Sequence, residues 1–167
     1  MRYHDIERHR PAPRSASRPH RGLSIAAFVA LFAAAAALAY PAVQIATSPA
    51  ARVRVGDVEV GVTVADTPLR QAWGLQGRSS LAEGAGMLFP FDPPATGAFV
   101  RRGVPFALDV VFVGADGRVS GIGRLDAGSE RAAPPVPARW ALEVPGGWAA
   151  RAGVTTGTAF RVLRPAP

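Results

Sequence analysis

Between Leu23 and Tyr40 eighteen residues pass without a charge. As a helix that run spans about 27 Å, close to the hydrocarbon thickness of a bilayer, and counting on to Ala46 lengthens it to 24 residues. A half-buried strand alternates and a surface helix carries a polar face, so the run divides the chain instead of joining a small globular core. Arg2, Arg8, Arg10, Arg14, Arg18 and Arg21 precede it against Asp5 and Glu7. The positive-inside rule keeps that end cytoplasmic and sends everything after the run outward. Residues 1–22 are polar and rich in arginine, proline and serine, and read as a disordered basic tail. Residues 23–46 are a transmembrane anchor or a signal segment. The run exceeds an ordinary signal-peptide core, which favours a retained anchor, although Ala37-Leu38-Ala39 and Ser48-Pro49-Ala50 both offer small residues for cleavage. The expected location is membrane-anchored or secreted, with the globular part periplasmic or extracellular.

Beyond the apolar run come a linker over 47–52 and one domain over 53–163. Val53 to Val64 alternates apolar and polar residues, as a half-buried strand does. Asp66-Thr67-Pro68 then starts a short helix that Gly74 closes after Trp73. Strand signals lie at Met87 to Phe91, Ala98 to Arg102, Leu108 to Val113, Arg118 to Leu125, Trp140 to Val144 and Thr158 to Leu163. Gly114 to Gly117 is a hairpin turn, Ala127 to Pro137 is a proline-rich loop, and Pro145 to Gly153 admits a further helical turn around Trp148. Many short strands and two small helices predict an all-β fold, a single small barrel-like or sandwich domain.

Composition limits the chemistry. The sequence has no cysteine and no lysine, its histidines are His4, His9 and His20, and its tyrosines are Tyr3 and Tyr40. Residues 53–163 therefore hold no His, Cys, Lys or Tyr. That excludes Ser-His-Asp hydrolysis, thiol nucleophiles, Schiff-base lysines and histidine-ligated metals. No Asp-rich loop of the EF-hand type appears, and neither a metal nor a cofactor is expected. The formal charge of +7 splits into +4 over residues 1–50 and +3 beyond. A charge of that size, spread over strands and loops without clustered cations, does not indicate a nucleic-acid partner.

The runs RQAWGLQGRSSLAEGAGMLFPF, LDVVFVGADGRV and ALEVPGGWAARAG resemble the domain of unknown function 192 family over nearly all of residues 53–163. That family shows a Gly-Leu-Met-x-Arg step, a Gly-Met-Leu-Phe strand, a Trp-Met-Lys-Asn-Thr segment, a Pro-Leu-Asp strand and a Leu-Glu-x-Pro-x-Gly turn. The resemblance implies a small β-rich, barrel-like domain, often exported or anchored, whose biochemical activity is not established. In the Trp-Met-Lys-Asn-Thr segment this chain has Val100, Arg101, Arg102, Gly103 and Val104, so only the cation is kept, on Arg102. An arginine stays protonated and is a poor proton acceptor, which leaves binding as the role that segment retains.

Successive strand side chains face opposite ways, so Arg101 and Arg102 cannot both enter the core. On the next strand Leu108, Val110 and Phe112 share one face and Asp109 lies on the other with Val111 and Val113. A buried Asp109 needs a partner, and Arg102 and Arg78 are the candidates. Met87, Phe89 and Phe91 form a core face, Trp73, Trp140 and Trp148 pack, and Glu143, alternating with Leu142 and Val144, faces water. Arg78, Arg102 and Asp109 make a candidate ligand site. The function expected is a non-catalytic, envelope-facing binding or accessory module for a small anionic ligand, a glycan or an envelope protein. The alternative is a carboxylate-dependent hydrolase of a cell-envelope or storage polysaccharide, using Asp109 and Glu143 as its acid pair.

Overall fold

A computed structural model describes residues 50–163. The tail and apolar run at 1–22 and 23–46 lie outside them. No helix among the described residues is long and apolar enough to cross a membrane. The strands are β1 (Ala50–Val55), β2 (Val58–Val64), β3 (Ala85–Ala95), β4 (Phe99–Val100), β5 (Leu108–Val113), β6 (Val119–Leu125), β7 (Arg131–Ala132), β8 (Ala138–Pro145) and β9 (Phe160–Leu163). Two short helices accompany them, α1 (Pro68–Trp73) and α2 (Trp148–Arg151).

Seven strands form one sheet in the order β6-β5-β8-β3-β2-β1-β9, and β4 pairs with β7 as a separate ribbon. The sheet curls into a half-barrel. Its two edge strands meet at one end, where Arg118 bridges Ala159 and Phe160 N donates to Gly117 O at 2.8 Å. The fold is thus mostly β with two short helices, and the barrel-like alternative describes it better than a two-sheet sandwich.

Three expectations are corrected in detail. The alternating segment from Val53 to Val64 is not one strand but the antiparallel pair β1 and β2, with Val55 opposite Val58. Gly56, at φ 58°, takes a left-handed conformation that admits the tight turn, and the alternation continues in phase through it. Because β1 starts at Ala50, the last part of the expected linker is already strand. The proline-rich loop likewise contains β7, whose Ala132 lies opposite Phe99 of β4.

Both faces of the central strands are covered. All seven strands contribute to one apolar cluster, which includes Val53, Val60, Leu88, Val111, Val119, Leu142 and Phe160 and is closed by Trp148 of α2. The second cluster lies on the opposite face of β3, β5 and β8. There Met87, Phe89, Leu108, Val110 and Phe112 pack under Leu75 from the turn after α1 and Ala132 from β7, with Phe99 of β4 against them. Every residue of β5 is buried. This explains why LDVVFV reads as a nearly continuous apolar run: a strand covered on both faces has no solvent side to alternate toward.

Candidate functional site

The chain from β2 to β3 passes through α1, and this crossover forms one wall of a cavity. Thr67 caps the helix, its Oγ1 accepting from Arg70 N at 3.2 Å, and Pro68 occupies the first turn. Gly74 ends it at φ 56°. Two side-chain bonds fix the wall: Gln71 Nε2 donates to Pro90 O at 3.0 Å, tying α1 to β3, and Trp73 Nε1 donates to Gln76 O at 3.2 Å.

The other walls are β3, β4 with the arginines after it, and the floor of β8. Together they enclose about 350 Å³. Phe99 stands edge-on to Phe89, with centroids 5.0 Å apart, and edge-on to Phe91 at 6.3 Å. With Trp73, these rings make the lining mostly apolar.

Glu143 belongs to this apolar lining. In the register of the sheet it lies between Met87 of β3 and Val110 of β5, so alternation points it into the second cluster and not toward water as the sequence suggested. Its residue is 6% exposed, and its Oε2 is buried with no hydrogen-bond partner. Burial alone pushes its pKa up to about 7. No nearby charge contributes, although Arg101 and Arg102 also line the cavity.

Arg101 supplies the second polar group. Its Nη1 donates to Val104 O at 2.9 Å and its Nη2 stands 3.6 Å from Glu130 Oε1, while its Nε is buried without a partner. Arg101 Nε and Glu143 Oε2 are the two unpartnered buried side-chain atoms among the described residues, and both residues line the same cavity. A buried polar atom without a partner costs about 1–3 kcal/mol. Two residues with such atoms in the wall of one cavity make it the candidate for a ligand with polar groups.

The expected site residues do not converge. Arg102 is exposed at the cavity mouth, and Arg78 lines a neighbouring open hollow that shares Arg101 and Val104 with the cavity. Neither forms an ion pair with Asp109. The partner of Asp109 is Arg124, directly opposite on β6, whose Nη1 donates to Oδ1 at 3.0 Å. Gly147 N and Ala149 N donate to the same carboxylate, each at 2.9 Å. Asp109 therefore caps α2 from outside the helix, filling a role for which Gly147 has no side chain. It lines neither opening.

Asp109 and Glu143 also fail to form an acid pair. Asp109 pairs in register with Val144 and Glu143 with Val110, so the two carboxyl groups leave opposite faces of the sheet. Among the described residues no three His, Cys, Asp or Glu side chains come together to hold a metal ion. Arg101 was missing from the expected site. The adjacent arginines signalled that one of them faces inward, but matching the family's lysine selected Arg102 while the pleat turns in Arg101.

The fold and cavity define a small β half-barrel domain with a ligand-sized, aromatic-lined recess. Residues 50–162 match the family model DUF192, described as "Uncharacterized ACR", and the chain belongs to that family. A crystal structure of a protein of unknown function from Novosphingobium aromaticivorans is 31% identical, with a TM-score of 0.64 and coverage of 67% of this chain and 84% of that one. A candidate transcription regulator from Sinorhizobium meliloti is 23% identical, with a TM-score of 0.63 and coverage of 69% and 95%. That second likeness shows the fold alone. No curated protein matches the chain.

Proposed function

We propose that the chain is a non-catalytic, envelope-facing binding module whose ligand enters the aromatic cavity past the arginines at its mouth. The supporting observation is that Arg101 and Glu143, each with a buried side-chain atom that has no hydrogen-bond partner, line one cavity. Aromatic and aliphatic side chains make up most of the lining, with Gln71, Gln76, Arg101, Arg102 and Glu143 among them, which fits a ligand with an apolar body and polar ends. An acidic group on the ligand, or on a partner that delivers it, meets Arg102 at the mouth and Arg78 beside it. The apolar run at 23–46, with arginines before it, supports a position outside the cytoplasm, at the membrane where the run is retained.

A simple apolar anion, 3-phenylpropanoate, tests the reading on the full chain in detergent. We expect saturable shifts of the Trp73 indole N–H resonance. Affinity should fall about tenfold in the Arg78→Gln/Arg102→Gln double variant, as loss of two partly screened charge contacts implies, with the melting temperature nearly unchanged. Absence of any saturable shift at Trp73 overturns the cavity as a binding site. A collapse of folding in the double variant shows instead that the arginines are structural.

A further inference from the structure

The recess has a chemical polarity from mouth to floor. Arg102 is exposed at its rim, aromatic rings line its walls, and the carboxyl of Glu143 is buried among them. Four features of the floor converge. Glu143 Oε2 has no donor. Its strand neighbours on that face are Met87 and Val110, neither of which can supply one. The other charged residues lining the recess are Arg101 and Arg102; the Nη atoms of Arg101 are committed to Val104 O and Glu130, and its Nε makes no hydrogen bond to Glu143. Finally, Gly74 stands over the carboxyl: a Cβ there would come within 4.0 Å of Oε2 and 3.9 Å of the Phe89 ring. A helix-ending glycine therefore leaves room where any other side chain would begin to fill it.

Resting on the binding reading above, we propose that the inner end of the ligand is an organic ammonium group, seated on Glu143 among the rings of Trp73, Phe89, Phe91 and Phe99. A neutral donor would satisfy Oε2 but not its charge. An ammonium group does both, and its positive charge is attracted by the faces of aromatic rings, most strongly when water is excluded. The arginines at the mouth complement the opposite end, so the full ligand is an amine that also carries an acidic group, joined by an apolar body. The binding step is a proton exchange as well as an association. Glu143 titrates at about 7 when the recess is empty, and an ammonium partner holds it ionised. Near neutral pH, binding is therefore coupled to proton release from Glu143.

Three probes share a ring and a two-carbon arm and differ only in charge: phenethylamine, 2-phenylethanol and 3-phenylpropanoate. Each is titrated into the full chain in detergent at pH 7, read at the Trp73 indole resonance and by calorimetry in two buffers of different ionisation enthalpy. We expect phenethylamine to bind about tenfold tighter than the alcohol, in line with a cation–π and ion-pair gain. It alone should release protons, and Glu143→Gln should remove both the preference and the release. The proton count in the unaltered chain stands as evidence even if the variant folds poorly. Equal binding of amine and alcohol, or an amine preference that survives Glu143→Gln, overturns the ammonium inference. Tightest binding by 3-phenylpropanoate, lost in Arg102→Gln, overturns it too while leaving the arginine reading intact. If no probe shifts Trp73, the cavity reading falls and this inference falls with it.

Discussion

At the scale of a single residue, Glu143 makes folding sensitive to pH in the direction opposite to most carboxylates. Its pKa rises from 4.5 in an exposed setting to about 7 in the fold through burial, so between those values the folded state holds a proton that the unfolded state has lost. Stability is then highest below pH 4.5 for this group and declines as pH rises to about 7. At about 1.4 kcal/mol per unit the full decline is roughly 3 kcal/mol. Glu143→Gln, which mimics the protonated acid in shape, should match the parent at pH 4 and exceed it at pH 8, as urea midpoints at the two pH values would show. An unchanged slope in the variant would mean that some other group carries the pH dependence. Asp109 makes the contrasting case. Its carboxylate serves Arg124 and two backbone N–H groups at once, and Asp109→Asn puts an NH₂ against one of those donors. We expect a loss of about 2–4 kcal/mol, typical of breaking a buried hydrogen-bonded charge network. Calorimetric melting checks this, and little change in probe binding per folded molecule should accompany the loss.

At the scale of elements, the sequence revealed more about strands than about their neighbours. Thr67-Pro68 and Gly74 announced α1 because capping is local chemistry, and LDVVFV announced β5 because each side chain there is apolar or capped. Glu143 could not be read the same way. Between Leu142 and Val144 a charged residue looks like the outward half of an alternating strand, and only the covering of that face by α1, β4 and β7 buries it. Nor could the Asp109–Arg124 pair be read without knowing that β5 and β6 are in register, since the arginine comes 15 positions later. On the opposite face, close packing of β8 sets a limit on β3. A Cβ on Gly86 would stand 2.7 Å from the Glu143 backbone O, and neither strand can yield without breaking the β3–β8 ladder. Gly86→Ala should therefore cost more than about 2 kcal/mol, in the range of overpacked cores. Thr67→Ala should cost about 1 kcal/mol, the worth of a helix cap. A melt of each variant separates the two, and a loss of equal size would contradict the close approach at Gly86.

At the scale of the whole described domain, the arrangement joins a firm half-barrel to a slighter cover. β5 and β8 each have strands on both sides and buried residues on both faces, whereas β4 and β7 contribute two residues each and pair mainly with one another. Local opening takes the least-packed parts first. The ribbon carries Phe99 and leads into Arg101 and Arg102, so the part that opens most readily is a wall of the cavity, and its opening admits a ligand without disturbing the sheet. Amide exchange would resolve this order. Protection should be greatest in β5 and β8, near the global stability, and least in β4 and β7, lower by several kcal/mol. A ligand that bridges the ring of Phe99 and the carboxyl of Glu143 ties cover to floor, so saturating phenethylamine should raise protection in Phe99, Val100 and Ala132 more than in β1 or β9. If protection instead rose evenly over all strands, the ligand would be stabilising the domain only against global unfolding, and entry through the ribbon would be ruled out.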